Sequence, residues 1–475
     1  MTRRLLWFEA RRLIRHPLVW GASVLVVALQ TYLSRDGQPD LTMDPVNATG
    51  LFTCLGAAVL VVASLAASRE GRHGMPESLA GLPGRAEHRT RALLLAVPLV
   101  AGLAAALAMG GYLAIRLLSG PAGGRLDVAE PLTAVAAAVL AATAGVAVGR
   151  WARWLIAGPI VVAVLGFLIF TNPSNGPAGW LLPVMQVHRP DWPDRPSLVH
   201  LVYVLAAAAL FAAIALLKHR VRPAPAVAAV LALAVAVPAG ATAASTPAPA
   251  PFPTTVDHVD SRVRERYFGP AAHRCDVRRG LTYCAFPGYE PWIPLWERVV
   301  GPVMAALPAA RRAQAPAVRQ VSPTWNFVTR PAAIGAPMSW GHPDQRRLLA
   351  EDAAFWATGL NDSAAAHHDP RLRMLCDVRG QARTVVAHWL IGQAAPPEAR
   401  RELYVERDLG RRSGLDWGPA ETGYATLLLA VPGAREKVAA HWDTLMKPAT
   451  TIDQALPLLG LERRFTAPMG ATPCL

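Results

Sequence analysis

The first half of the chain alternates between long apolar runs and short, arginine-rich polar breaks. Seven runs stand out, at about 17–33, 50–67, 92–115, 131–148, 154–170, 198–217 and 224–244. An α-helix rises about 1.5 Å per residue, so roughly 20 apolar residues cross a bilayer core of about 30 Å. The runs therefore read as seven membrane-spanning helices, the last of them weakened by Pro238 and Gly240. Beyond Ser245 the pattern changes. A proline–alanine stretch, STPAPAPFPTT, reads as an extended linker. After it, Tyr289–Leu307 presents Trp292, Leu295, Trp296, Val299, Val303 and Leu307 in helical rhythm. Pro343–Leu360, Gly380–Gln393, Pro397–Leu409, Pro419–Ala430 and Ala434–Leu445 also read as helices, and RCDVRRGLTYCAF reads as a β-hairpin turning at Arg278-Arg279-Gly280. The expected fold class is mainly α: a polytopic membrane helix bundle of six spans plus a seventh. A C-terminal extracytoplasmic, mostly helical domain with a small β-hairpin follows it. The expected divisions are 1–222, 223–245 and 246–475.

Charge sets the orientation. The 475 residues are 53% hydrophobic and carry a formal charge of +14, which with basic breaks between apolar runs points to a membrane protein and away from a nucleic-acid binder. Fifteen Lys and Arg residues cluster at one set of helix ends. They are Arg3, Arg4, Arg11, Arg12 and Arg15; Arg69, Arg72, Arg85, Arg89 and Arg91; Arg150 and Arg153; and Lys218, Arg220 and Arg222. The opposite ends hold five: Arg35, Arg116, Arg125, Arg189 and Arg195. Positive charge concentrates on the cytoplasmic side of short loops, so the N-terminus is expected in the cytoplasm and residues after about 245 outside it. Cysteine usage agrees, since Cys275, Cys284, Cys376 and Cys474 all fall in that outer portion while Cys54 lies in the second run. Four cysteines in an oxidising compartment can pair in three ways. The hairpin favours Cys275–Cys284, with Cys376 and Cys474 left as a second candidate pair. A metal site using His273 is the rival, although the spacing fits no standard zinc pattern.

Two stretches at the arginine-rich ends carry further pattern. Residues 3–16, RRLLWFEARRLIRH, set Leu5, Leu6, Phe8, Leu13 and Ile14 against five arginines and Glu9. That is a basic amphipathic helix suited to a membrane surface, broken by Pro17 into an elbow before the first span. The plain alternative is a positive start to a membrane anchor. Between the second and third runs lies SREGRHGMPESLAGLPGRAEHRTR, Ser68–Arg91, where Met75, Leu79 and Leu82 share one face of a short helix begun by Pro76 and ended at Gly81-Leu82-Pro83-Gly84. It fits a docking knob for a cytoplasmic partner, or a loop lying on lipid. The span interiors hold no Asp, Glu or Lys, which argues against ion-coupled transport. None of the three lysines, Lys218, Lys437 and Lys447, follows a glycine, so the chain has no phosphate-binding loop and no ATPase motif.

The elbow EARRLIRHP (9–17), the six spans and the first inner loop REGRHGMPESLAGLP (69–83) together resemble the membrane subunits of ABC-2 type exporters, especially those of actinobacteria. The resemblance covers roughly residues 1–222. It implies that Pro76–Leu82, with Met75 beside it and Glu77 at its rim, is a coupling helix seated on a separate ATP-binding subunit. It also implies an amphipathic elbow carrying Phe8, Glu9, Arg11, Arg12 and Arg15, and a second copy of this permease or a homologous one. The seventh run and the long outer portion depart from the family core, which has six spans and both termini inside.

The outer portion shows His367-His368-Asp369 but no H-E-x-x-H, G-x-S-x-G or C-x-x-C, and Trp292, Trp296, Phe355 and Trp356 read as core. The expected function is the membrane-spanning permease subunit of an ATP-driven exporter in the plasma membrane. It would bind no cofactor or metal itself, ATP being held by the partner, with the lipid bilayer and an exported cargo as its other contacts. The alternative is a membrane-anchored extracytoplasmic binding or sensory protein on a permease-like scaffold without transport. A degenerate hydrolase on an anchor is a third. Ala241-Thr242-Ala243 after the seventh run resembles a signal-cleavage site, and the run is expected to stay as an anchor.

Overall fold

Pro17 begins the architecture. His16 before it is extended, as a residue preceding proline must be, and the chain bends by 49° between helix α1 (Thr2–Ile14) and α2 (Pro17–Leu33). The Trp20 indole N–H donates to the Ile14 carbonyl and so satisfies the interrupted end of α1 across the bend. The computed structural model describes residues 2–72, 86–152, 154–171, 177–184, 195–219, 222–246, 271–321, 333–361, 376–394, 415–466 and 468–470. The chain divides into two units, Met1–Ala250 and Pro251–Leu475.

In the first unit α3 (Asp44–Arg72), α4 (Ala86–Ser119), α5 (Ala129–Trp151), α6 (Ala157–Thr171), α7 (Ser197–Leu217) and α8 (Pro223–Ser245) follow. Five of these helices are long and apolar enough to cross a membrane, and the bent α1–α2 pair makes a sixth. The fifth expected span is shorter than its hydropathy implies. The α6 helix has 15 residues, about 22 Å of rise, which falls short of a bilayer core. Pro159 confines its start to the first turn after Trp154-Leu155-Ile156, Gly158 lies against Ser64 of α3, and Pro173 follows two residues after its end. By contrast α8 runs unbroken through Pro238, with Gly240 seated on the Tyr203 ring of α7. The tightest packing is α5 on α3. A Cβ at Gly145 or Gly149 would strike the Leu60 or Ser64 carbonyl, so these glycines let the two backbones meet. A core of small and branched residues joins α1 to α5, including Leu13, Leu55, Val97, Ala104 and Val146. Large apolar residues such as Leu99, Phe167 and Val230 face outward.

The second unit adds more sheet than the hairpin alone. Strands β1 (Arg274–Arg278), β2 (Leu281–Ala285), β3 (Val318–Val321) and β4 (Ile334–Pro337) pair in that order, the first pair antiparallel and the others parallel. Arg278 faces Leu281, and Arg279 and Gly280 both have positive φ, 49° and 80°, which is the two-residue turn that suits a twisted hairpin. The helices are α9 (Ile293–Ala305), α10 (Ala309–Ala313), α11 (Pro343–Thr358), α12 (Ala382–Gln393), α13 (Pro419–Leu429), α14 (Ala434–Ala440), α15 (Trp442–Leu445) and α16 (Ile452–Leu459). A two-stranded parallel pair, β5 (Cys376–Asp377) and β6 (Leu415–Asp416), completes the unit. Helix α11 is held at its start by a capping box between His342 and Gln345 and at its end by Gly359 in the left-handed region. Trp292, Trp296 and Phe355 are buried in the core, as their spacing implies. The expected helix at Pro397–Leu409 lies outside the described residues.

Candidate functional site: the charged end of the helix bundle

The expected coupling-helix residues Met75, Pro76, Glu77, Leu79 and Leu82 lie outside the described residues. The helices flanking them do not, and their ends are joined by charge. On α3, Glu70 accepts from Arg89 of α4 at 2.9 Å and from Arg150 of α5 at 3.2 Å. Arg150 is almost wholly buried there, with 8% of its side chain exposed. One residue earlier, Arg69 donates to Glu9 of α1 at 2.8 Å. Glu87, in the first turn of α4, holds Arg91 one turn on and Arg222 at the start of α8. Thr90 meets the His219 ring just past α7 at 2.6 Å. Burial, with the nearby Arg150 charge, lowers the His219 pKa. The ends of six helices, α1, α3, α4, α5, α7 and α8, are thus laced into one collar.

The elbow splits into two faces rather than one apolar stripe. Glu9, Ala10 and Leu13 are buried against the bundle, while Phe8, Arg11, Arg12 and Arg15 are exposed beside Trp7 and Ile14. An aromatic and basic surface of this kind suits a headgroup region, where rings bury and guanidinium groups stay wet. Sequence reading counted the arginines but missed their partners Glu70 and Glu87. The available signal was that these are two of the few acids beside an apolar run.

Polar pairs also gather at the other end of the bundle. Arg116 of α4 donates to Asp44 at 2.9 Å and to the carbonyls of Ser34, Gly37 and Gln38. Glu130 accepts from Ser197 at 2.7 Å and lies 3.5 Å from Arg195. Acids absent from the span interiors therefore sit at both ends, paired with the arginines of the breaks. Along the chain the collar and this second group alternate, so α2, α3, α4, α5, α7 and α8 run up and down.

In the second unit Cys275 and Cys284 are disulfide-bonded and directly opposite in the hairpin register. His273, the alternative ligand, is placed to donate from Nε2 to the Gln320 carbonyl at 2.8 Å and stacks on Phe286. Among the described residues no group of three or more His, Cys, Asp or Glu could hold a metal. His367, His368, Asp369 and Cys474 lie outside the described residues; Cys376 opens β5. An open cleft of about 680 Å³ is lined by Arg311, Thr358, Arg383, His441, Trp442 and Asp443. Arg311 stacks on Trp356 and donates to the last carbonyls of α11, at Trp356 and Ala357. Burial lowers the pKa of Arg383. Elsewhere, buried Glu421 of α13 accepts the Gly380 amide at 2.6 Å and the Gly418 amide at 2.8 Å, and burial raises its pKa.

No protein-family model matches this sequence, and no curated protein or solved structure matches it either.

Proposed function

We propose that the chain is the membrane-spanning permease subunit of an ATP-driven exporter of the ABC-2 type, working with a separate ATP-binding subunit. The observation that carries this reading is the collar. Glu70, Arg89 and Arg150 tie together the two long helices that flank residues 73–85, and Glu9–Arg69 ties them to the amphipathic α1. A force applied to that short loop would reach α3, α4, α5 and the surface helix together. In the proposed cycle, closure of the ATPase on ATP pushes the loop helix and rocks the bundle toward the far side. The arginine-rich end faces the cytoplasm and residues 251–475 lie outside, in contact with cargo or a surface partner. A second permease copy, or a homologue, completes the assembly.

The test is co-purification of an ATPase subunit with the tagged chain from its native membrane. Leu79 and Leu82 are the anchors in this reading, and a charged replacement combines lost burial with an unpaired buried charge, about 3 kcal/mol or more. Leu79→Asp should release the ATPase while leaving the membrane part folded. Retention of a full complement of ATPase by Leu79→Asp would remove the docking argument. The arginine-lined cleft favours a second reading, a membrane-anchored extracytoplasmic binding protein without transport. On that reading no ATPase accompanies the parent chain.

A further inference from the structure

Helix ends of the second unit converge around the open cleft of about 680 Å³. Its walls come from α10, the end of α11, the first turn of α12 and the passage from α14 into α15. Ala310, Ala357 and Ala440 line it with single methyl groups, which leaves the space that longer side chains would fill. A volume of this size falls within the roughly 300–1,000 Å³ of small-molecule sites. Its polar groups differ in depth. Arg383 and Thr358 are buried, at 3% and 2% exposure, whereas Arg311 is half-buried and Asp443 is exposed. Both arginines are held in place. Arg383 Nε donates to the side-chain oxygen of Gln381, the residue that caps the start of α12, at 2.6 Å. Arg311 donates to the Ala357 and Trp356 carbonyls at 3.1 and 2.7 Å, and its guanidinium lies 4.4 Å over the Trp356 ring.

Charge decides what such a cleft accepts. Two guanidinium groups line it against one carboxylate, Asp443, which is exposed to water and screened by it. A guanidinium withdrawn from water is costly, and an anion brought beside it offsets that cost. Burial lowers the pKa of Arg383, and a bound anion would act in the opposite direction. The planar fork of an arginine matches the paired oxygens of a carboxylate or phosphate. Trp442 and Met446, both half-buried, add apolar surface to the same cleft. We propose that the cleft binds a small organic anion, with its carboxylate or phosphate at Arg383 and Arg311 and its apolar body against Trp442 and Met446. Such a site is compatible with transport and with binding alone. Co-purification of an ATPase decides between those readings and has no bearing on whether the cleft fills.

Isothermal titration calorimetry on the full chain in detergent tests it with four probes of one shape: benzoate, phenyl phosphate, neutral benzyl alcohol and cationic benzylammonium. At least one of the two anions should bind saturably with a Kd of about 1 mM or tighter, and the alcohol and the cation should bind at least tenfold more weakly. The ratio of the two anions distinguishes a carboxylate ligand from a phosphate one, and either order supports the site. Arg383→Gln should raise the Kd of the tighter anion at least tenfold. Ala440→Trp, at an exposed position on the cleft wall, should do the same by filling the space, with far-ultraviolet ellipticity equal to the parent's. Where Arg383→Gln fails to fold, Ala440→Trp carries the test. No saturable binding of either anion at about 10 mM overturns the proposal. So does binding of the alcohol or the cation as tight as that of the anions, or an anion Kd left unchanged by Ala440→Trp.

Discussion

Replacing Glu70 by Gln tests the collar by removing one charge and keeping the shape. Its two carboxylate oxygens lie 2.9 Å from Arg89 and 3.2 Å from Arg150. At an effective dielectric constant of about 20, each contact near 3 Å is worth roughly 5 kcal/mol before desolvation is subtracted. Breaking a fully buried pair costs about 3–5 kcal/mol, and an exposed pair contributes about 0–1. Glu70 and Arg89 keep about a fifth of their side-chain surface exposed and Arg150 only 8%, which places the net effect between those limits. Glu70→Gln should therefore destabilise the bundle by about 2 kcal/mol. A cycle with Arg150→Gln should return a coupling of about 1 kcal/mol, since the two sites share one contact. The assay is SDS or thermal unfolding of the purified chain in detergent, followed by far-ultraviolet ellipticity. Added salt should change the coupling little, because Arg150 is shielded from solvent. Single variants within about 0.5 kcal/mol of the parent, with no coupling, would refute the idea that the collar binds these helix ends together.

Two further predictions concern stability. His388 of α12 is wholly buried against Trp417, and burial lowers its pKa from 6.5 to about 4. The folded state refuses a proton that the unfolded chain accepts, so stability is full above pH 6.5 and falls as pH drops toward 4. The loss should reach about 3 kcal/mol. His388→Leu should flatten denaturant midpoints measured at pH 7.5, 5.5 and 4.5, and equal slopes in parent and variant would contradict this. At the other end of the bundle, Arg116→Met strands the buried Asp44 carboxylate and should cost about 3–5 kcal/mol. Thermal unfolding should show Asp44→Asn recovering part of that loss in the double variant, and no recovery would contradict the pairing.

Local rules made much of the fold legible. Pro17 announced the elbow, hydropathy located the long helices, and Arg278-Arg279-Gly280 announced the hairpin with Cys275 facing Cys284. What escaped depends on residues far apart in the chain. Strands β3 and β4 have four residues each; β3 joins β2 in parallel across more than 30 positions and β4 then joins β3, spans over which no two-residue alternation can be followed. The pairs Glu9–Arg69 and Glu70–Arg150 are separated by 60 and 80 residues. In the sequence their arginines carried only a sidedness, and their acids looked like ordinary loop polarity. The late start of α6 goes with Pro159 in its first turn, which hydropathy does not record. The Glu421 carboxylate, which holds two backbone amides, has no spacing that sets it apart from a solvated helix-start glutamate.

The claim on which the functional reading stands is that the arginine-rich end faces the cytoplasm and residues 251–475 lie beyond the membrane. Fusing a reporter enzyme that folds only outside the cytoplasm tests it most directly, with one fusion after Lys218 and one after Leu475. The account predicts an inactive fusion at Lys218 and an active one at Leu475. Activity at Lys218 with silence at Leu475 would contradict it.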